Sequence, residues 1–253
     1  MPKGLELFRE KFSEHTDKYV LIGGTACELA MREAELEFRA TKDLDIVLTV
    51  ETLDPVFSGL FWDFVKAGGY EHQQNGEDAK PQFYRFQRPT DPAYPAQLEL
   101  LSRRPDLLQV PSDRRIIRIR ADDDDVASLS AIMMDDHYYA LVQSGRRVVN
   151  GYSTLNAESL IPLKAKAFLD LTERRWRGDK VQSGDIKKHK LDVFRLSALL
   201  TDTTRVTLAD SVRGDFDRFV KAMPDEDVDP KALGLGDRKK DQILATLSTI
   251  YQL

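Results

Sequence analysis

Apolar and polar positions follow two textures along the chain. Tyr19 to Ile22 is an unbroken apolar run stopped by Gly23-Gly24, which predicts a short buried strand. Thr25-Ala26-Cys27-Glu28 has the spacing of a capping box and predicts a helix with Thr25 as N-cap, running to about Leu36. Leu44 to Val50, apolar and β-branched, predicts a second strand, and Leu53 to Gly68 a helix closed by Gly68-Gly69. Phe83 to Phe86, Gln97 to Leu101 and Ile116 to Arg120 predict further strands, the first two joined by the proline-rich stretch from Arg88 to Pro95. Asp122 to Asp125 reads as a charged turn, and Val126 to Val149 fits a hairpin as well as a helix. After Asn150-Gly151 the period is helical throughout, with helices expected over 158–175, 185–201, 207–222 and 229–251. The pattern predicts an α+β fold: a mixed-sheet domain over 1–155 followed by a helical C-terminal domain over 156–253.

Composition adds bounds. At 253 residues, 42% hydrophobic and 31% charged, the chain has the make-up of an ordinary soluble protein. No stretch approaches the roughly 20 apolar residues of a membrane helix, and the first residues do not form a signal peptide, so the cytoplasm is the expected compartment. The single cysteine, Cys27, excludes an internal disulfide framework and reads as a packing residue. Four scattered histidines give no basis for a histidine-rich metal site. The net charge of −5 argues against indiscriminate binding of nucleic acid. Residues 161 to 200 nevertheless carry ten Lys/Arg against five Asp/Glu, which fits either a region that meets phosphates or a solvated helical face.

Three features of the first half carry chemistry. Gly23-Gly24, between a strand and a helix, allows backbone N–H groups to approach an anion at a helix N-terminus; a purely structural glycine turn has the same look. Asp43 and Asp45, at i and i+2 of a strand, point to one face about 7 Å apart, where a divalent cation would offset their repulsion. A solvated strand edge would also explain them. Glu99 is a lone acid within the apolar strand Gln97 to Leu101. Set beside the Asp pair, it would complete a three-carboxylate cluster for two Mg²⁺ (or Mn²⁺) ions, and otherwise it is an outward-facing residue of a half-exposed strand.

The order G-G-T-A, then R-x-T-K-D-L-D-I-V-L, then a later acid in an apolar strand resembles nucleotidyltransferases of the DNA polymerase β-like superfamily, and within it the AbiEii type of abortive-infection toxins. The resemblance covers most of residues 18 to 200. It implies a polymerase β-like catalytic domain in which Asp43, Asp45 and Glu99 hold Mg²⁺ and Gly23, Gly24 and Thr25 meet the triphosphate of an NTP substrate. Arg39 and Thr41 match residues often seen just ahead of the Asp pair in that group. It further implies transfer of a nucleoside monophosphate to an acceptor, with tRNA as the candidate acceptor and an antitoxin as the candidate partner. A small-molecule or protein acceptor, or a non-catalytic nucleotide-binding module, would share the same residues.

The same family places a lysine on the first C-terminal helix. Leu160, Leu163, Ala167, Phe168 and Leu171 mark an apolar stripe; Lys164 falls within it and Lys166 on the opposite, solvated face. Lys164 is therefore the candidate phosphate contact, or a snorkelling lysine. Asp192 matches the last position of a basic-Asp-x-x-Asp pattern in the group, with Lys188 at the basic position and His189 where the pattern has its first Asp. Lys188 and Asp192 also stand at the i, i+4 spacing of a surface ion pair. Asp135-Asp136-His137 reads as a solvated turn, and Tyr138, Tyr139 and Trp176 as core or boundary aromatics.

Overall fold

The structure is a computed structural model that describes residues 1–49, 51–72, 82–102, 132 and 135–253. The described chain divides into two compact units. The first takes Met1–Leu29, the described part of Arg39–Val126, and Arg146–Leu155; the second takes Ala30–Phe38, the described part of Ala127–Gly145, and Asn156–Leu253.

In the first unit β1 (Tyr19–Ile22), β2 (Asp43–Leu48), β3 (Glu71–His72), β4 (Gln82–Gln87) and β5 (Gln97–Ser102) form a five-stranded mixed sheet in the order β1-β2-β5-β4-β3. β2 and β5 run parallel at its centre, and every other neighbouring pair is antiparallel. The two-residue period sorts the strands into two faces. Tyr19 and Leu21, Leu44, Ile46 and Leu48, Phe86, and Leu98 and Leu100 all belong to one buried core. Helices α1 (Leu5–Phe12) and α3 (Pro55–Gly68) complete that core with Phe8, Phe12, Phe57, Phe61 and Phe64. Phe12 is fully buried and meets the rings of Phe8, Tyr19, Phe57, Phe61 and Phe64 at centroid separations between 4.5 and 6.3 Å.

Local chemistry accounts for the element ends. Asp54 caps α3 by accepting from the Phe57 N–H at 2.8 Å, and that bond, helped by Lys18, holds its carboxyl below the usual range. Gly69, at φ 60°, closes the helix in the left-handed region. Asn150 and Gly151, both at positive φ, make the two-residue turn between β6 (Arg146–Val149) and β7 (Tyr152–Leu155).

The second unit is helical, with α4 (Asp136–Ser144), α5 (Ala157–Trp176), α6 (Ser183–Leu196), α7 (Asp210–Ala222) and α8 (Lys240–Tyr251). Pro162 sits inside α5, so the carbonyl of Glu158 lacks its usual helical donor. The hydroxyl of Tyr251 on α8 donates to that carbonyl at 2.9 Å and replaces the missing bond.

Several expectations need correction. α2 spans Gly23–Glu33, three residues ahead of the expected start, so Thr25 is not its N-cap and the capping box with Glu28 does not form. The Thr25 hydroxyl instead donates to the Asp43 carbonyl at 2.7 Å. The described part of the stretch expected as hairpin or helix holds α4 and then β6, whose hairpin partner β7 lies beyond it. The expected helix over 229–251 forms only from Lys240, since Gly234 and Gly236 take left-handed φ values of 77° and 66°. Asp135-Asp136-His137 is a helix start, with Asp135 accepting from the N–H groups of His137 and Tyr138. Tyr138 and Tyr139 are buried as expected, whereas Trp176 is 87% exposed and is neither core nor boundary. α1, β3 and β7 were not expected, and β7 places a strand after Asn150-Gly151 where only helices were expected. The strand expected over Ile116 to Arg120 and the turn over Asp122 to Asp125 lie outside the described residues.

Truncating Phe12 removes the ring that all five aromatic neighbours share. Phe12→Ala is expected to lower stability by about 3–5 kcal/mol, read as a drop in the urea midpoint without a change in slope.

Candidate functional site

The sheet face opposite the aromatic core carries the polar residues. Register sets Ile22, Asp45, Glu99 and Arg85 abreast across β1, β2, β5 and β4, and the next rung holds Asp43, Gln97 and Gln87. Asp43 is exposed, Asp45 half-buried and Glu99 buried, so the three carboxylates meet water to decreasing degree.

A buried carboxylate requires compensation. Arg85 supplies it, donating to Glu99 Oε1 from Nε at 3.0 Å and from Nη2 at 2.8 Å. Gln97 Nε2 donates to the same oxygen at 2.7 Å, and Gln87 Nε2 donates to Gln97 Oε1 at 2.7 Å. Glu99 is thus oriented by a chain of three side chains from β4 and β5. Arg85, Gln87 and Gln97 have no signature in the sequence beyond strand alternation, because only the β4–β5 register makes them neighbours of Glu99.

The glycines also have a specific role. Gly23 opens α2 at φ 67°, and a Cβ built there would overlap Asp45 Oδ2. The carboxylate of Asp45 therefore lies directly against the start of a helix, where the partial positive charge favours an anion. A Cβ on Gly24 would stand 2.7 Å from the Thr41 methyl and 3.6 Å from Arg39 Nη2. The Thr41 hydroxyl lies 3.4 Å from that of Thr25 and donates to Glu28 Oε2 at 3.4 Å. Gly23, Gly24, Thr25, Arg39, Thr41, Asp43, Asp45 and Glu99 thus all gather within the first unit. Glu28, buried beside them, was read only as a cap.

Carboxylate oxygens are the hard donors that Mg²⁺ or Mn²⁺ takes, and Asp43 and Asp45 on one strand face fit such an ion. Among the described residues no three His, Cys, Asp or Glu side chains stand together at metal-holding separation.

In the second unit Lys164 is 2% exposed and pairs with Asp192 Oδ2 at 3.2 Å, with Asp192 fully buried. Arg195 reaches Asp192 Oδ1 at 3.3 Å. The expected i, i+4 pair of Lys188 with Asp192 does not form; Lys188 pairs with Asp185 at 2.8 Å, because Asp192 faces inward. Lys166 is not a plainly solvated residue either. It bridges Asp170 at 3.2 Å and Asp215 at 3.0 Å. Burial opposes its charge, but these two carboxylates outweigh it and raise its pKa.

The chain is an α+β protein with a mixed sheet and a helical C-terminal region. No protein-family model matches it, and no curated protein is similar to it at a significant level. Two solved Helicobacter pylori structures share 14% identity over 98% of this chain, each with a TM-score of 0.34. One is JHP933, matched over 90% of its length. The other, matched over 92%, carries a provisional description as a nucleotidyltransferase. Likeness at that level has no functional weight.

Two substitutions probe these arrangements. Gly23→Ala imposes a left-handed φ on a Cβ that also strikes Asp45, and is expected to cost about 1–3 kcal/mol in chemical denaturation. Lys164→Met leaves Asp192 buried without its ammonium and is expected to cost about 3–5 kcal/mol, whereas Lys164→Met/Asp192→Leu recovers most of the loss in the same measurement.

Proposed function

We propose that the chain is a metal-dependent nucleotidyltransferase that moves a nucleoside monophosphate from an NTP to an acceptor. The observation that carries this reading is the register of the parallel β2–β5 pair, with Asp45 opposite Glu99, Asp43 one rung away, and Gly23 against Asp45. An acidic rung beside a glycine-opened helix offers carboxylates for counter-cations and backbone N–H groups for the phosphates of an NTP.

Asp43 and Asp45 would hold Mg²⁺ or Mn²⁺, with Glu99 on the same rung as Asp45 but already engaged by Arg85 and Gln97. When bound, the ion supplies charge neutralisation at the phosphates and lowers the pKa of the attacking hydroxyl. The backbone at Gly23, Gly24 and Thr25 would receive the terminal phosphates, with Arg39 adding positive charge and Thr41 a hydroxyl beside them. Arg85 and Gln97 orient Glu99. The acceptor hydroxyl attacks the α-phosphorus, the bond to the bridging oxygen breaks, and pyrophosphate leaves. The AbiEii-like character, with tRNA as acceptor and an antitoxin as partner, is supported by the sequence resemblance and by the basic stretch from 161 to 200.

Incubating the protein with each α-³²P-labelled NTP, Mg²⁺ and total tRNA is expected to label tRNA, and Asp43→Ala/Asp45→Ala is expected to abolish the label. Label on the protein itself would redirect the reading to a protein acceptor, and the absence of any NTP binding would overturn it.

A further inference from the structure

Trp176 ends α5, and its neighbours set it apart from an incidental surface aromatic. The buried stripe of that helix closes at Leu171; Trp176 lies five residues on, about 140° round the helix axis, and points away from it. Arg177 and Gly178, at φ 99°, then end the helix, and a short turn leads into α6 at Ser183. At 87% exposure the indole leaves nearly its whole apolar surface in water, which folding alone does not favour. Trp62, the other tryptophan, is 3% exposed.

The charge around this tip is one-signed after internal pairing. Glu173 to Lys188 holds six Lys/Arg and three Asp/Glu. Arg177 pairs with Glu173, Arg174 with Asp179 and Lys188 with Asp185, which accounts for all three acids. Arg175, Lys180 and Lys187 are exposed and have no ion-pair partner among the described residues. An exposed indole on a segment that also carries three uncompensated cations offers a stacking face together with phosphate contacts. A protein partner would be met by a broader apolar patch, whereas Trp176 is the one large apolar side chain exposed along α5 and α6.

We propose that the turn joining α5 and α6 is a contact site for single-stranded nucleic acid, with a base stacked on Trp176 and its flanking phosphates on Arg175, Lys180 and Lys187. This deepens the proposed function by naming a surface that holds a nucleic-acid acceptor, and it is tested without NTP so that the two readings fail separately. The probe is fluorescein-labelled oligo(U), titrated by anisotropy into Asp43→Ala/Asp45→Ala protein, with tryptophan emission followed in parallel. Binding is expected to quench the exposed indole and leave the emission of Trp62. Trp176→Ala is expected to weaken binding about tenfold or more, and Trp176→Phe to retain most of the affinity while losing the quench. Arg175→Gln/Lys180→Gln/Lys187→Gln is expected to flatten the salt dependence. All these side chains are exposed, so folding is not at stake. Equal affinity of the parent and Trp176→Ala for oligo(U), or indole emission unchanged at saturation, would overturn the proposal; emission that responds only to an added protein would assign the tip to a protein partner instead.

Discussion

The parallel pairing of β2 with β5 is the constraint on which the first unit depends. Its register places Leu44, Ile46, Leu98 and Leu100 on the side of the aromatic core and Asp43, Asp45, Gln97 and Glu99 on the other. A slip of one residue would reverse both sets at once, burying carboxylates among phenylalanines. The hydrophobic core and the acidic rung are therefore specified by the same alignment, and neither can be altered without the other. Gly23 adds a second lock, since only a residue without a side chain lets the Asp45 carboxylate reach the start of α2.

Charge burial is handled differently in the two units. Glu99 is compensated by Arg85 and by Gln97, which Gln87 holds in turn. Lys164 and Asp192 compensate each other deep among helices, with Arg195 as a third member. A pair so desolvated contributes little over an apolar replacement, yet losing either partner alone is costly. Arg85 makes Glu99 tolerable in the folded state, and the same bond sets which way its oxygens face.

Much was legible in the sequence because it depends on period and local chemistry. The apolar runs of β1, β2 and β5, the helix closed at Gly68-Gly69 and the amphipathic stripe of α5 follow from side-chain spacing alone. So did the position of Lys164 inside that stripe, and the shared face of Asp43 and Asp45. Capping was less legible: Thr25 and Glu28 satisfy the spacing of a capping box, but the Asp43 carbonyl and the Thr41 hydroxyl compete for them, and those partners lie 13 to 18 residues away.

The sequence by itself determined the fold class, the candidate acids and the order in which they occur, since alternation and composition are properties of neighbours along the chain. Tertiary structure decided which acids become neighbours, that Arg85 and Gln97 serve Glu99, that Asp192 pairs with Lys164 rather than Lys188, and that Trp176 stands in water. Each of these turns on strand register or on the direction in which a helix face points. Such relations arise only when distant segments pack, because burial and pairing are settled between residues that no local spacing connects.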